Sequence, residues 1–160
     1  MRLKVVGAIG LGLLLAVMSG SAAGATTGAA TNTITAGSTA TLTSRLLISV
    51  PVTVVCDPLT DSFIDASVTV NVQQANGRQI ATASGTAFGD STFLTCDGVT
   101  QNHVVVQATP NPSGPPFHGG AAIATASFLV EYGIIFDGCC FQVTNSDSGS
   151  SPITTVSLHG

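Results

Sequence analysis

Charged side chains are scarce in this sequence, and tryptophan is absent. Of its 160 residues, 8% are charged and 5% are aromatic, whereas 44% are hydrophobic. A chain of this composition gains free energy by burying apolar side chains, which argues against intrinsic disorder. Four Lys and Arg residues stand against eight acids, so the formal net charge of −4 has the wrong sign for a nucleic-acid binder. The sequence has neither the glycine period of collagen nor the heptads of a coiled coil. Once these classes are excluded, one small β-rich domain remains.

The N-terminal segment 1–25 has the three parts of a secretory signal peptide. Two basic residues stand within the first four positions, an apolar run extends to Met18, and small residues surround Ala23 and Ala25. The apolar run is shorter than the roughly 20 residues of a membrane-spanning helix. We therefore predict cleavage after Ala23 or Ala25 and a secreted, extracellular mature chain without a membrane span.

Cleavage would leave very few cations in the mature chain. Arg45 and Arg78 remain as two cations against all eight acids, which gives a formal charge of −6. Such a surface repels nucleic acids and anionic membranes. The expected partner is therefore an extracellular protein or a component of the cell envelope.

The strongest periodic signal follows a lead-in of small residues. Residues 26–44 are rich in Thr, Ala, Ser and Gly, with a first edge strand expected around Asn32–Thr35. Within 46–56 every even position is apolar, which predicts a half-buried strand. Because Pro51 lacks an N–H group, we expect this strand to lie at a sheet edge or to carry a bulge.

Further alternation and turn signals predict the remaining strands of a domain spanning 45–160. Valine alternates with polar residues over Ser67–Gln73, and Asn76-Gly77 is a turn signal, so 67–88 should form a β-hairpin. A C-terminal extension begins at about 132, and a polar loop separates its two strands. Other strands are expected at Ser91–Thr95, His103–Ala108, Ala121–Glu131, Phe141–Thr144 and Ile153–Leu158.

About seven short strands with regular turn signals predict an all-β, antiparallel sandwich or barrel. Four stretches resemble immunoglobulin-like sandwich domains, and more narrowly the small secreted immunoglobulin-like proteins of bacteria: Val50–Cys56, Ser67–Gln73, Cys96 and His103–Ala108. The resemblance implies an immunoglobulin-like β-sandwich. It departs from antibody domains in one respect, because the tryptophan that those domains pack on their disulfide has no counterpart here.

Four cysteines in an exported chain suggest two disulfides, for which three connectivities exist. We expect Cys56–Cys96, as a staple between the two sheets, together with Cys139–Cys140. In the alternative, Cys139 and Cys140 each pair with one of the other two and tie the C-terminal segment to the sandwich. The sequence around the neighbouring cysteines carries no Lys, Arg or His to activate a thiol, and no paired C-x-x-C of a zinc site.

No catalytic, metal or cofactor site is expected. A G-x-S-x-G elbow is missing, and the acids Asp57, Asp61 and Asp65 lack the spacing and the glycine of a calcium loop. His103 is expected on a solvated sheet face, and His159 is next to the C-terminus. The sequence therefore favours a protein that is not an enzyme.

The Pro/Gly-rich loop holds the candidate binding residues. In the stretch P-P-F-H-G-G, we expect Phe117 to be an exposed anchor and His118 to contact a ligand at the loop tip. The other phenylalanines are expected to fill the core: Phe63, Phe88, Phe93, Phe128 and Phe136.

Three functions fit these observations. The first is a secreted, non-enzymatic immunoglobulin-like module for extracellular binding or for a structural role at the cell surface. The second is a small-molecule carrier, since the composition is similar to that of the enediyne-binding apoproteins, and it requires a deep apolar cleft between the sheets. The third is a secreted hydrolase or enzyme inhibitor.

Overall fold

Nine β-strands and no helix make up the secondary structure of the described residues. The computed structural model describes residues 32–43, 45–58, 63–90, 92–136 and 140–160. The segment predicted as a signal peptide lies outside them, as do residues 26–31 and 44 of the predicted lead-in. The strands are β1 (Thr33–Ala36), β2 (Thr39–Thr43), β3 (Leu47–Val55), β4 (Phe63–Asn76), β5 (Gln79–Gly89), β6 (Asn102–Pro110), β7 (Gly120–Phe136), β8 (Cys140–Ser150) and β9 (Thr154–His159).

Seven of these strands form a sheet that closes on itself. Their order is β3-β2-β9-β7-β4-β5-β6, and β6 pairs back with β3. β1 and β2 pair with successive parts of the same edge of β3. In the same way, β8 and β9 pair with successive parts of the same edge of β7. Only β2 and β9 pair in parallel among the described strands. The all-β prediction is confirmed, and the pairing is antiparallel apart from β2 with β9. Of the predicted sandwich or barrel, the hydrogen bonding forms a closed barrel, whereas the resemblance implied an immunoglobulin-like sandwich.

Two short seams divide the closed sheet into two layers. β2 and β9 pair over Thr39–Thr41 and Ser157–His159, and β5 and β6 pair only at Ala83–Ser84 with Thr109–Pro110. The longest ladders lie inside the layers, for example from Ile48 to Val54 between β3 and β6. We call β1, β2, β3 and β6 the β3 layer, and β4, β5, β7, β8 and β9 the β4 layer.

β3 confirms the predicted alternation but corrects the expectation for Pro51. β3 is paired on both sides, with β6 along one edge and with β1 and β2 along the other. The Pro51 carbonyl oxygen accepts from the N–H of Gly37, which lies in the break between β1 and β2. The N and carbonyl of one strand residue point to the same neighbour, so the missing donor of Pro51 faces this break. An interior strand can therefore hold a proline here.

The predicted hairpin is confirmed, with its turn one residue further along. Asn76 pairs with Gln79, so Gly77 and Arg78 form the two-residue loop between β4 and β5. Gly77 has φ +62°, and a glycine at the first central position is typical of a type II′ turn. The turn fixes the register of the whole β4–β5 ladder.

Two predicted boundaries are wrong. Of the strand expected at Ser91–Thr95, Ser91 lies outside the described residues and Thr92–Thr95 is a turn followed by irregular chain, because the Asp90 carboxylate accepts from both the N–H and the hydroxyl of Thr92. The polar loop expected after Thr144 is instead the second half of β8, which runs to Ser150. The long edge of β7 supplies its hydrogen-bond partners, which polar composition alone does not reveal.

Small side chains fill the space between the layers. The buried residues are mainly valine from β3 and β4 and alanine from β5 and β7. Val50, Val54, Val68, Val70 and Val72 have no exposed surface. Small side chains of this kind let the two layers approach closely at native packing density.

The β5–β6 seam depends on a glycine. A Cβ placed on Gly85 would lie 2.0 Å from the carbonyl oxygen of Gln107 on β6. Because that oxygen belongs to the backbone, relief would require a shift of the strand itself. Gly85 therefore permits the close approach of β5 and β6 beside their short ladder.

We expect Gly85→Ala to lower the free energy of unfolding by roughly 1–3 kcal/mol, the usual cost of overpacking. The measurement is urea denaturation followed by circular dichroism. Gly119→Ala is the matched control, since its Cβ would meet Leu158 O at an ordinary 3.6 Å. A Gly85→Ala midpoint equal to that of the wild type would contradict the close approach.

Candidate functional site

The predicted binding loop turns one of its two candidate residues inward. Phe117 has no exposed surface and belongs to the core, so the expectation of an exposed anchor is wrong. A core built largely of valine and alanine leaves volume for a large ring. Phe88 shows the reverse, because it is 71% exposed although it was expected inside. His118 is exposed, as expected for a loop position.

Gln74 holds this loop from the inside. Its side chain is 2% exposed, its Nε2 donates to the His118 carbonyl oxygen at 2.9 Å, and its Oε1 accepts from the His118 N–H at 2.9 Å. The same Nε2 lies 3.3 Å from the Ala121 carbonyl oxygen. The amide thus pairs with the His118 backbone as a neighbouring strand would, and the buried polar atoms are satisfied.

Sequence reasoning missed Gln74, although a signal for it exists. It continues the even positions of β4, on which Val68, Val70 and Val72 point inward. A glutamine on the buried side of a strand needs polar partners, and a Pro/Gly loop has free backbone groups to offer. The identity of the partner, however, follows only from the fold.

The outer side of the loop leaves His118 accessible. Its Nδ1 lies 2.9 Å from the Gly119 carbonyl oxygen. Asn76 adds a second tie to the loop, since its Nδ2 donates to the Pro116 carbonyl oxygen at 3.2 Å. An open groove of about 390 Å³ runs between the prolines of the loop and Leu46. The loop is therefore fixed in position and presents one polar ring to solvent.

The predicted disulfide between Cys56 and Cys96 is confirmed. It joins the residue after β3 to the segment between β5 and β6, with the Cα atoms 4.7 Å apart. The Gly98 N–H donates to the Cys56 carbonyl oxygen at 2.9 Å and reinforces the connection. Cys139 lies outside the described residues, and only the backbone of Cys140 is described, at the start of β8. Their pairing stays a prediction.

Two carboxylates order the segment that carries Cys96. The Thr100 hydroxyl, together with the N–H groups of Thr100 and Val99, lowers the pKa of Asp97 to about 2. The backbone N–H and then the hydroxyl of Thr92 lower the pKa of Asp90. Both carboxylates are stabilised in their ionised form by hydrogen bonds, so they act as caps of tight turns.

The histidines lie on separate elements. His103 is exposed on β6, with Nδ1 3.2 Å from the Thr53 hydroxyl, His118 is in the Pro/Gly loop, and His159 ends β9. Within the part of the chain that the structure describes, no group of three or more His, Cys, Asp or Glu residues is arranged to hold a metal ion. Asp61, one of the acids considered for calcium, lies outside that part.

A continuous uncharged surface covers the outside of the β4 layer. We call it the uncharged face: the outward side chains of Ser67–Ala75 on β4, Ile80–Phe88 on β5 and Ala121–Leu129 on β7, extended by the neighbouring residues of β8 and β9. No Asp, Glu, Lys or Arg occurs within these three ranges. Register alone creates this surface, because each row takes one residue from each strand.

The rows at the centre of the uncharged face are polar, and exposed hydrophobic side chains lie nearer to its ends. In the central row, Asn71 lies between Ser84 and Thr125. In the next row, the Thr69 and Thr86 hydroxyl oxygens are 3.0 Å apart. Exposed hydrophobic side chains flank these rows: Ile80 at 60%, Phe88 at 71%, Ile123 at 40% and Leu129 at 39% exposure.

Charges mark only the two ends of the uncharged face. At one end Asp65 and Glu131 pair across β4 and β7. At the other end lies Arg78, in the turn of the β4–β5 hairpin. This face shares the depletion of charged residues with the cores of protein interfaces, although its centre is polar where most interface cores are apolar.

We expect Gln74→Ala to destabilise the fold by roughly 1–3 kcal/mol, because the His118 N–H and carbonyl lose their partners. The His118 amide should also lose protection in hydrogen exchange. Gln73→Ala, at the exposed neighbouring position, is the control and should change neither quantity. Equal exchange of the His118 amide in Gln74→Ala and wild type would contradict the role of Gln74.

Acidification should release the turn at Asp97. A carboxylate with a pKa lowered from 3.8 to about 2 contributes stability above pH 3.8, and this contribution is lost as the pH falls through about 2. Carbon-detected NMR titration of the side-chain carboxyl measures the midpoint. Thr100→Val removes the hydroxyl donor and should move that midpoint back towards 3.8. A wild-type midpoint at 3.8 would contradict these hydrogen bonds.

The comparisons with known proteins found no relative of this chain. No family model matches the chain, and neither a curated protein nor a solved structure is significantly similar to it. Among the described residues, no helix has the length and hydropathy needed to cross a membrane.

Proposed function

We propose that the mature chain is a secreted, non-enzymatic immunoglobulin-like module that binds a partner outside the cell or at the cell surface. The uncharged face carries this proposal. It presents hydroxyl and amide groups in register on three paired strands, with apolar side chains at both ends and charges only beyond them. Depletion of charge at the centre distinguishes interface cores from ordinary protein surface.

Strand pairing supports the immunoglobulin-like part of the proposal. In immunoglobulin sandwiches the second and fifth strands share one sheet, and the third, sixth and seventh share the other. When β3 is taken as the second strand, β4 is the third, β6 the fifth, β7 the sixth and β9 the seventh. In the same way, β3 pairs with β6, whereas β4 pairs with β7 and β7 with β9. Two features depart from this pattern. The disulfide joins the residue after β3 to the segment before β6 and not to β7. β5, in the place of the fourth strand, pairs with β4 along the whole hairpin, whereas the fourth strand of an immunoglobulin domain lies in the sheet of the second and fifth.

Export is supported by the signal-like segment 1–25 and by the disulfide. Disulfides form and persist mainly in oxidising compartments outside the cytosol. The low content of lysine and arginine in the rest of the chain also favours an uncharged protein or envelope component as the target over anionic polymers.

The two alternative functions receive less support from the geometry. A small-molecule carrier requires a deep apolar cleft between the layers, but that space is filled by valine side chains such as Val50 and Val70. A hydrolase requires a nucleophile, a base and a third group that orients the base. The Thr53 hydroxyl and His103 Nδ1 lie 3.2 Å apart, but this pair is exposed on the outside of β3 and β6 and not in a cleft.

The proposal is tested by binding to the surface of the producing cells. Purified mature chain is mixed with washed cells, and the bound fraction is measured for wild type, Asn71→Lys and Gln107→Lys. A lysine at the centre of the uncharged face should reduce binding by at least about tenfold, because it buries an unpaired charge. Gln107→Lys places the same charge on the outside of β6 and should bind as wild type.

Two results would contradict the proposal. One is wild-type chain that stays entirely in solution, and the other is equal retention of Asn71→Lys and wild type. In either case the uncharged face is not the binding surface for a component of the cell.

A further inference from the structure

We propose that the uncharged face also binds a second copy of this chain, face to face and with the strands antiparallel. The inference rests on the proposed function, since it names a partner for the same face. The two copies are related by a two-fold axis that lies in the interface and crosses the strands along the row of Asn71, Ser84 and Thr125. Aligned packing of two sheets about 10 Å apart provides this geometry.

The two apolar residues of the face on β5 are placed symmetrically about this row, whereas Ile123 and Leu129 on β7 stand two residues before and four residues after Thr125. Ile80 and Phe88 stand four residues before and after Ser84 on β5, and they are 60% and 71% exposed. The two-fold axis puts Phe88 of one copy over Ile80 of the other. Each contact occurs twice in the dimer, and it covers two of the most exposed hydrophobic side chains of the β4 layer.

The charges at the ends of the face select the antiparallel orientation. Asp65 stands six residues before Asn71 on β4, and Arg78 stands six residues before Ser84, which pairs with Asn71. Because β4 and β5 are antiparallel, the two charges lie at opposite ends of the face. The two-fold axis brings Arg78 of one copy to the end of the face where the other copy carries Asp65, about one strand spacing to the side and across the roughly 10 Å between the two sheets. Parallel strands would instead place Asp65 over Asp65.

The central row suits self-contact. A residue on a two-fold axis meets its own copy, so a charged side chain there would be repelled. The hydroxyls of Ser84 and Thr125 and the amide of Asn71 can each donate and accept, so they can pair with themselves. The formal charge of the mature chain therefore does not oppose contact at the centre of this face.

The size of the face predicts a weak dimer. Four strands about 4.8 Å apart and about 27 Å of strand length give roughly 500 Å² per copy. A total near 1,000 Å² is the lower limit for a specific complex, so we expect dissociation in the micromolar range.

Sedimentation equilibrium from about 1 µM to about 1 mM measures the association. We expect wild type and Gln107→Lys to dimerise alike and Asn71→Lys to bind at least about tenfold more weakly. Arg78→Glu and Asp65→Arg should each weaken the dimer several-fold, and the double variant should restore it. Far-UV circular dichroism and unfolding midpoints establish that every variant is folded.

Each outcome bears on one proposal only. A wild-type chain that is monomeric over the whole range, a dimer that Asn71→Lys leaves intact, or a charge swap without restoration would overturn this inference. Binding of wild type to cells, with loss in Asn71→Lys, would still support the proposed function. A dimer that behaves as described, from a chain that does not bind cells, would support the inference alone.

Discussion

The alternation of valine with Ser, Thr, Asn and Gln along β4 is the constraint on which the rest of the structure depends. Val68, Val70 and Val72 are fully buried, while Asn71 and Gln73 between and beside them are exposed. β4 pairs along both edges, with β5 and β7, so its alternation sets the inward and outward sides of both neighbours. A slip of one residue would place the valines of β4 on the same side of the sheet as the outward residues of β5 and β7.

Closure of the sheet depends on the β4 layer and on a few close backbone contacts. The long ladders hold each layer together, and the two short seams, β2 with β9 and β5 with β6, join the layers. Gly85 permits one seam, and the disulfide between Cys56 and Cys96 ties the end of β3 to the chain that crosses from one layer to the other. At one end the core is completed by Phe117, whose loop is held by Gln74.

Local patterns in the sequence predict most of the strands, and non-local contacts decide the rest. The alternation within 46–56 and the Asn76-Gly77 signal locate β3 and the β4–β5 hairpin, because both depend on neighbouring residues alone. β8 could not be predicted in full, since its polar second half is a strand only by pairing with β7.

The candidate site shows the same division. The position of His118 in an exposed loop followed from the prolines and glycines around it. The burial of Phe117 did not, because it depends on the volume left between distant strands. The uncharged face was also hidden, since its polar residues belong to three separate stretches that only the strand register brings into rows.

The most direct test of this account is the register of β4 in solution, measured by cross-strand nuclear Overhauser effects on the labelled mature chain. The account predicts contacts of Thr69 with both Thr86 and Ser127, and of Asn71 with both Ser84 and Thr125. Contacts shifted by one residue, such as Thr69 opposite Ala87, would turn the alanines of β5 outward. That result would contradict both the core and the uncharged face.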